Sequence, residues 1–299
     1  MSSQMANRLL KPEVLARLGS LELIARTVVD GVTTGLHRSP HFGFSQEFAE
    51  YRAYNEGDDL RYVDWNVYAR TDRTYIKRFQ GETNTAINLM LDTSASMGFG
   101  SPTSKLEQAI FLIASLAYVT RKQHDALGLS VFDEEVREYQ AASARPDSLP
   151  RALALLERTH AGQGTDILNA LESLRASISR RGLLVVVSDL YANADDLLSA
   201  LQPLAHAGQD IAIFHVLDNE ELEPSSKTIS AYKDLETDES IIVDPEFLKT
   251  GYRARFAVHC ESMEQACRRI GADYTRVLTS EPLDAALQAY MRFRERRGR

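Results

Sequence analysis

Asp92, Thr93, Ser94, Ala95 and Ser96 follow directly on the apolar run Ile87 to Leu91, and a helical pattern begins shortly after them. Asp-x-Ser-x-Ser sets one carboxylate and two hydroxyls at alternate positions of a single turn. Hard oxygen donors carrying little charge suit a small divalent cation that keeps several waters: Mg²⁺, with Mn²⁺ or Ca²⁺ as substitutes. Two more oxygen donors occur further on. Thr165 lies in Gly162-Gln163-Gly164-Thr165-Asp166, a glycine-rich loop that opens a helix, and Asp189 ends the run LLVVVSD. Taken singly, each of these residues suits a helix N-cap. Taken as a set, Asp92, Ser94, Ser96, Thr165 and Asp189 point to one metal site.

The elements that must position them begin at residue 85. TAINLML, ALGLSVF, LLVVVSD, DIAIFHVLD and ADYTRVL read as strands, separated by amphipathic helical stretches. Apolar runs without alternation are strands covered on both faces, so residues 85–299 are expected to form a doubly wound α/β domain with a mostly parallel sheet. Ligands of such sheets bind beyond the carboxyl ends of the strands, where the three candidate loops would lie.

Residues 1–84 read as a small appendage. Val14, Leu18, Leu21, Ile24 and Val28 have helical spacing, which predicts a helix over 12–30 stopped by Gly31. Its apolar stripe packs on the protein's own body or on a partner. From 31 to 84, glycines among aromatics and charges predict turns and short extended pieces. Near the other end, ISAYKDLE and SIIVD are expected to pair as a hairpin. Residues 218–246 hold ten acids against two lysines, a solvated rim or a docking surface, and Arg292 to Arg299 form a basic tail.

Composition removes several function classes. The formal charge is -8, and residues 1–84 balance at 11 acids and 11 bases, so the acid excess lies wholly after them. Nucleic-acid binding needs a basic footprint that this distribution lacks. Cys260 and Cys267 suit buried free thiols, the N-terminus lacks a signal-peptide pattern, and the apolar run Phe111 to Val119 is too short to span a bilayer. The expectation is a cytoplasmic protein. No phosphate-binding glycine motif occurs, and Pro40 between His37 and His41 argues against a helical metal pair. Leu91 to Ala95 resembles the loop of aspartic proteases, so a hydrolase using Asp92 is the alternative function. That chemistry needs a second such loop, and a phosphatase of the haloacid dehalogenase type needs an aspartate where Ser94 stands.

Asp92, Ser94, Ser96, Thr165 and Asp189 resemble the metal-ion-dependent adhesion site (MIDAS) of von Willebrand factor A domains. Upstream, Glu47-Phe48, Arg52, Tyr54, Gly57-Asp58-Asp59, Arg61, Asp64-Trp65 and Ala69-Arg70 resemble the signature of a bacterial family, the domain of unknown function fifty-eight. Its members are often encoded beside MoxR-type AAA+ ATPases. The resemblance implies a von Willebrand factor A-like fold, magnesium held by the five residues, and no catalysis. It also implies a chaperone-like adaptor whose ion takes an acidic residue of a partner, the ATPase or its client. The signature's charges either form an ion-pair lattice over Trp65 and Tyr54 or meet a partner directly.

Overall fold

The computed structural model describes residues 12–16, 19–36, 48–54, 63–79, 85–162, 164, 166–178, 181–224, 230–233, 240–243 and 251–297. The chain divides into two compact units, Met1–Arg38 with Thr85–Arg299, and Ser39–Asn84.

In the larger unit a helical turn, Pro12–Leu15, precedes helix α1, Leu21–Leu36. The helix expected over 12–30 is therefore broken, and it does not stop at Gly31. Gly19 sits at φ 66, a left-handed conformation that interrupts the first turn. Beyond it the buried stripe Ile24, Val28 and Val32 continues past Gly31. Burying that stripe outweighs the cost of about 1 kcal/mol for a mid-helix glycine. The side chains of Val14 and Leu18 lie outside the described residues.

The smaller unit pairs β1, Phe48–Ala53, with β2, Tyr75–Phe79, in antiparallel register, and places helix α2, Trp65–Thr71, between them in sequence. Asp64 is buried, and its Oδ1 accepts from the Val67 N–H at 3.2 Å, which caps α2. Trp65 corrects the expectation that it packs beneath a charge lattice. It is 57% exposed and meets Tyr68 edge-on. Glu47, Gly57, Asp58, Asp59 and Arg61, with the side chain of Arg52, lie outside the described residues.

The remaining elements of the larger unit run β3 (Ala86–Asp92), α3 (Lys105–Lys122), β4 (Ala126–Phe132), β5 (Val136–Ser143), α4 (Ser148–Glu157), α5 (Ile167–Ser177), β6 (Gly182–Ser188), α6 (Ala194–His206), β7 (Asp210–Leu217), β8 (Ser230–Lys233), β9 (Ser240–Val243), α7 (Arg253–Arg269), β10 (Asp273–Leu278) and α8 (Asp284–Arg297). Six strands form one sheet in the order β10-β7-β6-β3-β4-β5, all parallel except β5. The mostly parallel α/β sheet expected from residue 85 onward is present. The sequence reading missed β5 because VREYQAAS is charged and half-exposed, with a burial pattern unlike the apolar central strands. The hairpin β8–β9 forms as expected.

One face of the sheet, through Met90, Leu184, Val186 and Ile213, buries its side chains against α5, α6 and α7. On the other side α3 packs on the sheet and α1 packs on α3. This explains α3, which is apolar nearly all round and therefore needs cover on both sides. Among the described residues no helix is long and apolar enough to cross a membrane.

Candidate functional site

The chain leaves β3 in opposite directions within the sheet, to β4 on one side and later to β6 on the other. Such a switch point opens a crevice at the carboxyl ends of the two central strands. Asp92 ends β3 and Ser188 ends β6, directly beside each other. The Ser188 hydroxyl donates to Asp92 Oδ2 at 2.6 Å, and the Ser94 N–H donates to Oδ1 at 2.9 Å. Ser94 and Ser96 bring their hydroxyl oxygens within 3.0 Å of each other. Thr93 anchors the turn, its N–H and its hydroxyl both donating to the Phe132 carbonyl at 2.8 Å.

The glycine-rich loop is drawn to the same edge. Gly162 donates its N–H to the Thr93 carbonyl at 2.5 Å, and a Cβ there would stand 2.6 Å from an oxygen of Asp133. Any larger residue there would have to displace the Asp133 carboxylate, which Arg137 holds. Asp166 donates its N–H to the Asp133 carbonyl at 3.0 Å and caps α5 through the Asn169 N–H at 3.0 Å. Thr165 itself lies outside the described residues. Asp92, Ser94, Ser96 and Asp189 are thus gathered, and the loop that carries Thr165 is pinned beside them.

Asp189 follows β6, is 1% exposed, and divides its oxygens unequally. Oδ2 accepts from the Lys105 ammonium at 2.6 Å, whereas Oδ1 is buried and accepts nothing from the described residues. Lys105 also donates to Glu221 Oε1 at 2.6 Å. Glu221 is held in turn by the Asp218 N–H at 2.8 Å and by the Tyr191 hydroxyl at 2.9 Å. The ammonium lies 4.9 Å from the ring centre of Tyr191 and 5.9 Å from that of Phe99. Burial alone would lower the Lys105 pKa, but Asp189 and Glu221 raise it, so the lysine stays charged.

Among the described residues Asp92 has no cationic partner of this kind. Burial, and then the charge of Asp189, push its carboxyl up to about 7 against the opposing hydrogen bonds from Ser188 and Ser94. Beneath the site, the buried His215 ring bridges the Asp189 carbonyl and the Tyr274 hydroxyl, and burial lowers its pKa to about 3.

The residues present fit a hard cation. Two neighbouring carboxylates short of positive charge, one buried carboxylate oxygen without a donor among the described residues, and a pair of serine hydroxyls are what a magnesium-sized ion seeks. Among the described residues no group of three or more His, Cys, Asp or Glu side chains is placed to hold a metal ion, so the donors here are two carboxylates with serine hydroxyls. The sequence reading missed Lys105, Ser188, His215 and Glu221. Two capping boxes, Ser104 with Glu107 and Asp218 with Glu221, were legible as helix starts. They do not reveal that Lys105 and Glu221 meet 116 positions apart in the chain.

The chain is similar to several known proteins. An uncharacterized protein of Mycobacterium tuberculosis is 26% identical over 291 residues, covering 95% of this chain and 91% of the relative. The crystal structure of the conserved hypothetical protein BatB from Bacteroides thetaiotaomicron overlaps 70% of this chain and 98% of its own, at 21% identity and a TM-score of 0.48. The von Willebrand factor type A structure from Catenulispora acidiphila overlaps 64% of this chain and 44% of its own, at 16% identity and a TM-score of 0.35. Residues 50–266 match the family described as protein of unknown function DUF58. Spanning most of the chain, from β1 to α7, that match makes this protein a member of the DUF58 family.

Proposed function

We propose that this protein is a non-catalytic, metal-dependent interaction module. Asp92, Ser94, Ser96 and Asp189, with Thr165 from the adjoining loop, hold Mg²⁺, and Mn²⁺ or Ca²⁺ can replace it. The ion's role is to present an open coordination position to an acidic residue of a partner protein. The observation that carries this reading is Oδ1 of Asp189, buried and without a donor among the described residues, beside the buried carboxyl of Asp92. Few formal charges among the donors leave a bound cation under-neutralised, which draws in a carboxylate from outside.

The partner we assign is a MoxR-type AAA+ ATPase or its client, with the protein acting as a chaperone-like adaptor in assembly, maturation or metal insertion. Support for that step is the family's habitual gene neighbourhood. The two buried free thiols favour a cytoplasmic setting. A hydrolase built on Asp92 is disfavoured because the protease chemistry belongs to an all-β fold, whereas Asp92 here ends a strand of a parallel α/β sheet.

Calorimetric titration with MgCl₂ tests the site, and capture of purified MoxR-type ATPase in magnesium or in chelator tests the partner. Binding of magnesium lost in Asp92→Ala, together with capture lost in chelator, is expected. Identical isotherms for the native protein and Asp92→Ala would falsify the metal assignment. Capture undiminished by chelator would end the adaptor mechanism.

A further inference from the structure

Lys105 is the first residue of α3, immediately after the Ser104 cap. The dipole of a helix favours an anion at that end and disfavours a cation. The chain nevertheless puts an ammonium there and buries it at 0% exposure. Desolvating a lysine is costly unless close charges offset it. Here two carboxylates do so, Asp189 and Glu221, each at 2.6 Å. An alanine or glutamate would serve the helix better, so the charge answers to the site and not to α3.

Its location indicates what it does. The ammonium takes one oxygen of Asp189 and leaves the other, Oδ1, without a donor among the described residues. A divalent ion must therefore share Asp189 with a resident cation and tolerate its repulsion. Because the ammonium is shared between Asp189 and Glu221, it offsets the charge of Asp189 only in part. Without Lys105 the ion would meet Asp189 with neither of its oxygens engaged by that ammonium.

We propose that Lys105 is a built-in counter-ion that holds the site's affinity for divalent metal low, so that the ion is retained firmly only when a partner's carboxylate completes its shell. This deepens the reading of the site as a metal-dependent docking module and rests on it. Glu221, fixed by the Asp218 N–H and the Tyr191 hydroxyl, is the retaining arm for the ammonium. The rings of Tyr191 and Phe99, 41% and 39% exposed, face that ammonium, so a partner reaching the ion meets them too.

The test is calorimetric titration of the full chain with MnCl₂, for the native protein and for Lys105→Met, Lys105→Arg and Asp92→Ala. Lys105→Met should bind Mn²⁺ at least tenfold more tightly, Lys105→Arg should return to the native affinity, and Asp92→Ala should not bind. A merely structural lysine would not give a gain in affinity, nor its reversal by arginine. Native protein that shows no heat while Lys105→Met binds also supports the proposal. If the native protein binds and Lys105→Met binds equally or less well, the counter-ion role is overturned while the metal site stands. If neither binds, the metal site falls and the proposal with it. Should Lys105→Met fail to fold, the double variant Lys105→Met/Glu221→Gln decides. One base and one acid are removed together, so the net charge equals that of the native protein while Asp189 is freed; tighter binding than native supports the proposal and equal or weaker binding overturns it.

Discussion

The Nε2 atom of His215 lies 2.8 Å from the backbone carbonyl oxygen of Asp189, and Nδ1 of the same ring lies 2.6 Å from the Tyr274 hydroxyl. A carbonyl only accepts, so the pattern assigns the proton to Nε2 and makes Nδ1 the acceptor of the tyrosine O–H. β7 thereby holds the turn that carries Asp189 at the end of the neighbouring strand, β6. Removing the ring opens a cavity and strands two polar groups. His215→Ala is expected to cost about 2–4 kcal/mol, read as a lower denaturant midpoint, and to weaken metal binding as well. An unchanged midpoint would show that the bridge contributes nothing.

Metal should stabilise the native fold by mass action. At a concentration 100 times its Kd, a ligand bound only by the native state adds about 2.7 kcal/mol. For a chain of this size that is a rise in Tm of roughly 4–5 °C. Thermal unfolding in MgCl₂ and in chelator measures it. Asp92→Ala should melt at the same temperature in both, and a variant that still gains the full increment would remove Asp92 from the ligand set.

Gly182 opens β6 opposite Ala86, where an added Cβ would stand 2.1 Å from the Ala86 carbonyl oxygen. No side-chain rearrangement relieves a clash with backbone. Gly182→Ala is therefore expected to destabilise by about 3 kcal/mol, the upper end for overpacking. Because β3 and β6 carry Asp92 and Asp189 at their far ends, a shifted register should also blunt the thermal response to magnesium. Native stability in urea for this variant would contradict the close approach.

Cys267 is fully buried, and burial pushes its thiol up from 9.0 to about 12. The folded state thus keeps the proton longer than the unfolded chain does. The sign follows: this contribution to stability is complete below about 9 and is lost as pH rises from there towards about 12. Unfolding midpoints at pH 8 and pH 11 measure it, with Cys267→Ala as the control in which that part of the alkaline loss disappears. In native protein at pH 8 neither Cys260 nor Cys267 should react with a thiol reagent, and both should react in urea. Rapid labelling of the native protein would contradict their burial.

The sheet was readable because its central strands, such as Ile87 to Leu91 and Leu183 to Val187, are apolar on both faces, a pattern with one physical meaning. Asp92, Ser94, Ser96 and Asp189 were readable because strand ends in such a sheet share an edge. β5 escaped because an edge strand with solvent on one side can be as charged as a loop. Lys105 and Glu221 escaped for a different reason. Nothing in local spacing distinguishes a solvated lysine from a buried one, and only the packing of α3 against the turn after β7 makes them partners. The length of α1 was misread because Gly31 was weighed as a stop without knowledge of the α3 surface that the helix covers.

The packing of α1 on α3 changes what trimming the chain means. A chain begun at Thr85 discards not only the leading segment but also the cover that α1 gives α3, and the apolar face so exposed would seek another surface. Aggregation would follow and would be mistaken for a fault of the α/β unit. The segment Ser39–Asn84, in contrast, leaves a body after Arg38 and returns to it at Thr85. An excision that preserves the packing of α1 on α3 therefore removes residues 39–84 and keeps both flanks.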